Sequence, residues 1–200
     1  MIKPSERSRW GCVALVSYVP SPLGAVLDRL RHPPVGADNP RAHVTLLPPR
    51  PLQAPIEVAS FAIQETLRSF SAFQVEFSGI RCFPETNVIY LDIGEGKSAL
   101  HTLHESLNAG VLADTEAFEF LPHLTLSSSL PAEVSEEVRQ DVEAAWTQVL
   151  VPRSYWLEET VLLWISPARE GGSWQQLWNL RLGATAAAAS ASRSSATLGT

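Results

Sequence analysis

The sequence predicts an α+β fold made of two similar halves. Segments with strand and helix patterns do not alternate strictly, and neighbouring strands imply hairpins, which favours α+β over a parallel doubly wound sheet. Strand and helix units of similar length recur in both halves of the chain, which suggests a pseudo-two-fold arrangement. Two strings of the form His, apolar, Thr, apolar stand at equivalent places in these halves, 123 − 43 = 80 positions apart: His43-Val44-Thr45-Leu46 and His123-Leu124-Thr125-Leu126.

The strands are predicted from apolar alternation and β-branched or aromatic content, and the helices from apolar residues at helical spacing. The predicted strands cover residues 10–19, 43–47, 73–80, 87–93, 118–127, 155–165 and 174–182. The predicted helices cover residues 21–31, 56–69, 98–109 and 131–150.

The ends of these elements are predicted from capping residues, prolines and glycines. Ser21 as an N-cap with Pro22 at the first helical position opens the first helix. Pro48 and the prolines after it are expected to end the first His-x-Thr strand, and residues 35–41 to form the loop before it. Pro122 directly before His123 indicates an edge strand or a first-residue position for the second His-x-Thr strand. The last two strands are expected to form a hairpin around residues 169–172.

Composition and charge set limits on the class of protein. Two hundred residues with 45% apolar content predict one domain at residues 10–183, a flexible N-terminus at 1–9 and a disordered Ala/Ser-rich tail at 184–200. A net charge of −6 argues against binding to extended duplex nucleic acid, but a small anion or a strand end stays open as a ligand. No apolar run approaches the roughly 18 residues of a membrane span. We expect a monomer, and two cysteines without metal or disulfide spacing, Cys12 and Cys82, indicate the cytoplasm.

The two His-x-Thr strings are expected to place their polar residues on one face. Side chains alternate along a strand, so His43 shares a face with Thr45, and His123 with Thr125, while the apolar residues point into a core. By chance, two such strings among five histidines arise in roughly one chain in a thousand. The pseudo-two-fold arrangement would bring the two strings face to face, so we interpret them as halves of one site.

Two imidazoles that face one cavity can divide acid and base chemistry between them. A neutral histidine can take a proton from a nucleophile while a protonated one gives a proton to a leaving oxygen. The threonine hydroxyls can donate to phosphoryl oxygens where charge accumulates. This set needs no metal or other cofactor, and it suits phosphodiester chemistry, above all the opening of a strained cyclic phosphodiester.

The paired strings resemble the signature of the 2H phosphoesterase superfamily, which includes 2′-5′ RNA ligase-like proteins and cyclic phosphodiesterases. Residues 78–84 and 88–91 are similar to the middle strands of that family, and the resemblance extends over about residues 10–182. It implies a bilobed fold in which antiparallel sheets line a central cleft with helices outside. It also implies metal-independent action on 2′,3′-cyclic phosphates or 2′-5′ linkages, with an RNA 3′ end or a small cyclic nucleotide as substrate.

The resemblance implies roles for the motif residues. By analogy with hydrolytic members, His123 would activate water and His43 would protonate the departing 3′ oxygen, which gives a 2′-phosphate; the reverse assignment stays open. Thr45 and Thr125 would hold the non-bridging oxygens. Phe83 and Tyr90 are candidates for base stacking, although core packing is the commoner role of such residues, and Arg41 and Arg50 are candidates for a phosphate contact.

Other readings of the same residues stay open at this point. His32 is expected to complement a helix end, and His101 and His104 to be solvated on a helix surface, since no third metal ligand lies at useful spacing. The same cleft could serve 2′-5′ ligation or exonucleolytic trimming that leaves a cyclic phosphate. A non-catalytic module that binds nucleotides or RNA ends is a further alternative.

Overall fold

The computed structural model describes residues 11–32, 41–128, 130–165 and 174–183, without the side chains of residues 132 and 133. The predicted flexible N-terminus, the Ala/Ser-rich tail, the turn at residues 169–172 and most of the loop at 35–41 lie outside these residues. The strands are β1 (Cys12–Tyr18), β2 (His43–Pro51), β3 (Phe73–Cys82), β4 (Ile89–Ile93), β5 (His123–Ser127), β6 (Ser154–Leu157), β7 (Glu159–Ile165) and β8 (Trp174–Arg181). The helices are α1 (Leu23–Leu30), α2 (Ile56–Arg68), α3 (Lys97–Leu107) and α4 (Ala132–Thr147), with a 3₁₀ turn at Gly110–Leu112.

The strands form two four-stranded antiparallel sheets, in the orders β2-β1-β7-β8 and β5-β4-β3-β6. This confirms the predicted α+β class with its two similar halves. In each half a strand, a helix and an antiparallel edge strand follow one another: β1, α1 and β2 in one sheet, and β4, α3 and β5 in the other. Each His-x-Thr string therefore begins the edge strand of its own sheet.

Alternation along the two edge strands buries their apolar residues. Val44, Leu46, Leu124 and Leu126 are fully buried, whereas the histidines and threonines between them stay partly exposed. These apolar side chains belong to one core that runs through both halves. In each sheet the polar residues of the string therefore lie on the face that points away from these buried apolar residues, and a cleft can form there.

The prediction that prolines end the first His-x-Thr strand is wrong. β2 continues through Pro48, Pro49 and Pro51, and Pro51 still pairs with Cys12 of β1. An edge strand tolerates proline because the N–H groups on its outer side need no ladder partner. Pro122, in contrast, stands directly before an edge strand that begins at His123, as predicted.

Other boundaries also differ from prediction. Residues 155–165 are two strands, since β6 pairs with β3 in one sheet and β7 pairs with β1 in the other, with Glu158 between them. Residues 118–122 are not strand, and they form part of a cleft wall described below. Helix α1 begins at Leu23, one residue later than predicted, and no side chain of the described residues caps it.

Candidate active site

The two His-x-Thr strands lie beside each other, because β2 and β5 are neighbouring edges of the two sheets. A cleft of about 860 Å³ opens at this junction, and Thr45, His123 and Thr125 line it. His43 is not among the lining residues, but it starts the same strand as Thr45, and the charge of His123 contributes to the lowered pKa of His43, after desolvation as the main cause. The fold thus brings the four predicted motif residues to one junction.

Both imidazoles are held by the same backbone contact. His43 Nδ1 lies 2.6 Å from the carbonyl oxygen of Arg41, and His123 Nδ1 lies 2.6 Å from that of Leu121. A carbonyl oxygen only accepts hydrogen bonds, so in both rings Nδ1 carries the proton and donates it. The neutral rings therefore present an unprotonated Nε2, the form that can act as a base.

Burial favours the neutral form of both rings. Desolvation lowers the pKa of His43 to about 4, and the charges of Arg31 and His123 act in the same direction against its bond to Arg41. Desolvation also lowers the pKa of His123, while the bond to Leu121 and the carboxylate of Asp92 oppose that shift. Asp92 pairs with His123 across β4 and β5, at the position that Tyr18 takes opposite His43.

The two threonines line this cleft. Within the described residues, neither Thr45 Oγ1 nor Thr125 Oγ1 has a hydrogen-bond partner, and the same holds for Nε2 of both histidines. Hydroxyl groups and imidazole nitrogens are both groups that can hydrogen-bond to the oxygens of a phosphate.

Aromatic rings surround each histidine. Phe83 and Tyr90 are stacked at 4.2 Å between centroids, and their edges contact His123 at 5.3 and 5.2 Å. Phe83 lines the cleft, so its position is compatible with stacking on a base, which stays a prediction. Tyr90 is 5% exposed and is not among the lining residues of the cleft, so base stacking by Tyr90 stays a prediction.

Arg41 is near His43 but is not among the lining residues of the cleft. Its guanidinium sits 4.6 Å above the ring of Tyr18, and Tyr18 contacts His43 edge-on at 6.1 Å. Arg41 and Tyr18 line a second cavity of about 700 Å³, and the phosphate contact from Arg41 stays a prediction.

Each motif strand is braced by the helix of the opposite half. At the end of α1, Arg31 Nε donates to the carbonyl of Thr125 at 3.3 Å, and the N–H of His32 donates to that of Leu126 at 2.7 Å. On α3, His104 Nδ1 donates to the carbonyl of Leu46 at 2.8 Å. These bonds satisfy one carbonyl group of β2 and two of β5, and they link the two halves of the protein next to the junction.

The prediction that His104 is solvated is wrong. It is 5% exposed and stacks on Phe120 at 3.7 Å, and Glu116 lies 3.4 Å from its Nε2. Its partners come from β2 and from the segment before β5, which spacing along α3 could not reveal. Within the described part of the chain, no three His, Cys, Asp or Glu side chains cluster as metal ligands.

A buried arginine supports the wall of the cleft. Arg50 is 2% exposed, donates to Asn108 Oδ1 at 2.6 Å and to the Leu112 carbonyl at 2.8 Å, and forms an ion pair with Glu116. These contacts hold residues 113–121, which carry Phe118 and Phe120 on the cleft wall. The predicted phosphate contact from Arg50 is not supported, because its guanidinium is occupied by protein groups.

The fold and this junction define the class of protein: two antiparallel sheets with a cleft between their edge strands form the fold of the 2H phosphoesterases. Solved structures with this fold include TT0787 of Thermus thermophilus, at a TM-score of 0.58 and 21% identity over 86% of this chain and 98% of that one. E. coli LigT complexed with NADP+ aligns at a TM-score of 0.55 and 19% identity, over 88% and 99% of the two chains. Usb1 of Kluyveromyces marxianus aligns at a TM-score of 0.53 and 11% identity, over 90% of this chain and 100% of that one.

The chain belongs to the 2′-5′ RNA ligase superfamily, whose family model matches residues 19–166. A candidate phosphoesterase of Geobacillus sp. (strain WCH70) is 33% identical over 99 residues, which are 45% of this chain and 57% of that protein. A second candidate phosphoesterase, from Geobacillus thermodenitrificans (strain NG80-2), is 29% identical over 111 residues, which are 51% of this chain and 64% of that protein. These matches span less than two thirds of the Geobacillus proteins. In the part of the chain that the structure describes, no helix is long and apolar enough to cross a membrane.

Proposed function

We propose that this protein is a metal-independent phosphodiesterase that hydrolyses 2′,3′-cyclic phosphates of RNA or nucleotides to 2′-phosphates. The observation that carries the proposal is the pair of imidazoles with equivalent Nδ1 bonds, whose Nε2 atoms have no partner among the described residues. Membership of the superfamily and the nucleotides NADP+, 3′-AMP and ATP that appear in structures of LigT support a nucleotide substrate.

The proposed step needs one proton acceptor and one proton donor. A water oxygen attacks phosphorus as one histidine takes its proton, and the bond from phosphorus to O3′ breaks. The other histidine gives its proton to O3′, so the product carries a 2′-phosphate and a free 3′-hydroxyl. Thr45 and Thr125 donate to the non-bridging oxygens, whose negative charge increases in the transition state. The reaction needs no further co-reactant.

The charges around the two rings favour one assignment of roles. The guanidinium of Arg31 acts on His43 and disfavours its protonated form, whereas the carboxylate of Asp92 favours the protonated form of His123. The carboxylate of Asp28 acts on the pKa of His43 in the opposite direction, but more weakly than the guanidinium of Arg31 does. We therefore assign the base to His43 and the acid to His123, the reverse of the assignment by family analogy.

The experiment is hydrolysis of a panel of 2′,3′-cyclic nucleotides and short RNAs ending in a cyclic phosphate, with and without chelator. We expect turnover that chelator does not reduce, and a loss of at least about a hundredfold in His43→Ala and in His123→Ala. His32→Ala is the control, because its exposed side chain has no contact in the described structure. Near-wild-type rates in either motif variant would contradict the two-histidine mechanism. Size-exclusion chromatography is a separate measurement that would test the expected monomer.

Two alternatives to cyclic phosphate hydrolysis are compatible with this site. Ligation through a 2′-5′ linkage, or trimming that leaves a cyclic phosphate, would use the same four side chains. A non-catalytic binding module would bind the cyclic nucleotides of the panel and turn over none of them. The Nε2 atoms of the two histidines and the Oγ1 atoms of the two threonines have no partner among the described residues, which favours a catalytic role over a non-catalytic binding module.

A further inference from the structure

His104 connects the first motif strand to the wall of the cleft and takes no part in the mechanism above. From α3, its Nδ1 donates to the carbonyl of Leu46, the residue after Thr45, at 2.8 Å. Its ring stacks on Phe120, with 3.7 Å between the centroids and 7° between the planes. Phe120 belongs to the wall segment, residues 114–121, which all line the cleft and precede β5. One buried side chain therefore contacts both β2 and the wall segment.

Both ring nitrogens of His104 face hydrogen-bond acceptors. The carbonyl of Leu46 accepts from Nδ1, and Oε1 of Glu116 in the wall segment lies 3.4 Å from Nε2. The imidazolium, which carries a proton on each nitrogen, can donate to both groups. In the neutral ring, Nδ1 keeps the proton for Leu46, and Nε2 turns a lone pair towards the carboxylate. The contact with Glu116 is therefore an ion pair in one charge state of the ring and a repulsive contact in the other.

The surroundings of His104 act on its charge in opposite directions. The face of Phe120 stabilises a cation that stacks on it, and the carboxylate of Glu116 acts in the same direction. Arg50 acts against the charge, because its guanidinium forms an ion pair with the same oxygen of Glu116. Burial acts against the charge too, since His104 is 5% exposed. The neighbours thus leave both charge states open to a side chain that ordinarily changes charge near neutral pH.

Other titratable and charged groups also surround His104 and its partners. In the described structure they include Cys12 of β1, Arg50 of β2, His101 of α3, and Asp114, Glu116 and Glu119 of the wall segment. Carboxylates and guanidinium groups ordinarily titrate outside the range from about pH 6 to pH 8.5. Burial, with the charge of Asp114, raises the pKa of the Cys12 thiol further above neutral. His101 contacts Phe120 edge-on at 5.6 Å, so it is the group that an experiment must separate from His104.

We propose that His104 is a positioning residue for the cleft wall, and that the loss of its proton releases the wall segment and weakens substrate binding. The inference rests on the proposed function, because it concerns the affinity of the same cleft. In the charged form, the pair with Glu116 holds the wall segment against β2, where Phe118, which is 73% exposed, lines the cleft. In the neutral form this contact becomes repulsive, and Arg50 remains the cation paired with Glu116. The groups assigned to the reaction do not change, so KM should rise with pH in a step that kcat does not show.

Glu116→Gln tests the role of the proton while keeping the contact. The amide can donate to Nε2 of a neutral His104 and accept from Arg50, so the wall segment should be held whether or not the ring is charged. Hydrogen exchange of the wall-segment amides, measured by mass spectrometry and corrected for the intrinsic effect of pH, reports opening without any turnover. In the wild-type protein we expect the corrected exchange to be about fivefold faster at about pH 8.5 than at about pH 6. In Glu116→Gln the two corrected rates should agree.

His101→Gln is the matched control, because it removes the imidazole that contacts Phe120 edge-on and should keep the wild-type step. The wild-type protein supplies a second measurement that needs no variant. Long-range ¹H–¹⁵N correlation spectra show the pH at which Nε2 of His104 loses its proton, and exchange of the wall segment should rise at the same pH. KM for a 2′,3′-cyclic nucleotide, whose phosphate keeps one negative charge over this range, should rise about fivefold in the wild-type protein and in His101→Gln, and stay constant in Glu116→Gln.

Equal corrected exchange at both pH values in the wild-type protein would overturn the inference. So would a step that persists in Glu116→Gln or disappears in His101→Gln, or an exchange step at a pH where His104 does not titrate. A wall segment that opens with pH in a protein without cyclic phosphate hydrolysis would support the role of His104 and contradict the proposed function. A wall segment that is constant with pH in an active protein would do the reverse, so the two failures are distinguishable.

Discussion

Arg50 and Glu116 form an ion pair inside the protein, where their side chains are only 2% and 17% exposed. The pair connects the end of β2 to the segment before β5, so it joins the two halves next to the cleft. Asn108 and Leu112 accept further hydrogen bonds from the same guanidinium. The shape of the cleft wall therefore depends on one buried cation.

Arg50→Met should reduce the free energy of unfolding by about 3–5 kcal/mol, because it leaves Glu116 buried without its partner. Arg68→Met is the matched control: Arg68 also pairs with a glutamate, Glu65, but this pair is exposed and should contribute less than about 1 kcal/mol. Urea unfolding followed by circular dichroism measures both. Equal losses in the two variants would show that burial of the first pair has no energetic consequence.

Acidification should destabilise the protein through His43. Burial lowers the pKa of His43 in the folded protein to about 4, from a value near 6.5 in the unfolded chain. Between these pH values the unfolded chain binds a proton on His43 and the folded protein does not. The stability that depends on the neutral His43 ring is complete above pH 6.5 and falls by about 3 kcal/mol as the pH drops to 4.

His43→Ala removes this contribution, while the carboxylates titrate alike in both proteins. The wild-type protein should therefore lose more stability than the variant between pH 7 and pH 4.5, as measured by urea unfolding at a series of pH values. Parallel curves for the two proteins would mean that the His43 ring is not desolvated.

The tautomers of both histidines can be observed directly. Because Nδ1 donates to the carbonyl of Arg41 in one ring and of Leu121 in the other, both neutral rings should be Nδ1–H tautomers. Long-range ¹H–¹⁵N correlation spectra near pH 7.5 should show an unprotonated Nε2 for each. An Nε2–H tautomer of His43 would remove the base from the proposed reaction.

The threonines should act through their hydroxyls rather than their shape. Thr45→Val and Thr125→Val keep the side-chain volume and remove a donor to the phosphoryl group, so each should lower kcat about a hundredfold. Thr45→Ser and Thr125→Ser should retain most of the rate. Steady-state kinetics on a 2′,3′-cyclic nucleotide compares them, and a valine variant as active as the serine variant would assign the position to packing.

Local patterns predicted the parts of the fold that depend on local interactions. Alternation around His43 and His123 identified both motif strands and the face that each buries, and the order of strands and helices predicted the two halves. The proline rule failed at Pro48, Pro49 and Pro51 because it assumed a strand with neighbours on both sides. Only the strand order shows that β2 is an edge, and strand order is set by tertiary pairing.

Residues whose environment comes from distant segments were not predictable. Spacing on α3 could not show that His104 is buried, since its contacts lie on Leu46, Glu116 and Phe120. In the sequence, Trp156 looks like an ordinary strand residue. In the structure the chain passes from one sheet to the other at Glu158, and Trp156 lines one cavity together with Gln176 and Asn179.

The bracing of each motif strand by the opposite helix has a consequence for how the chain can be divided. A cut between β2 and α2 would separate β2 from His104 and β5 from Arg31 and His32, so each fragment would carry an edge strand with unpaired backbone groups. Such edges associate with other chains unless they are covered. The two fragments should therefore be insoluble alone and recover a folded protein only when produced together, as in a split-protein complementation pair.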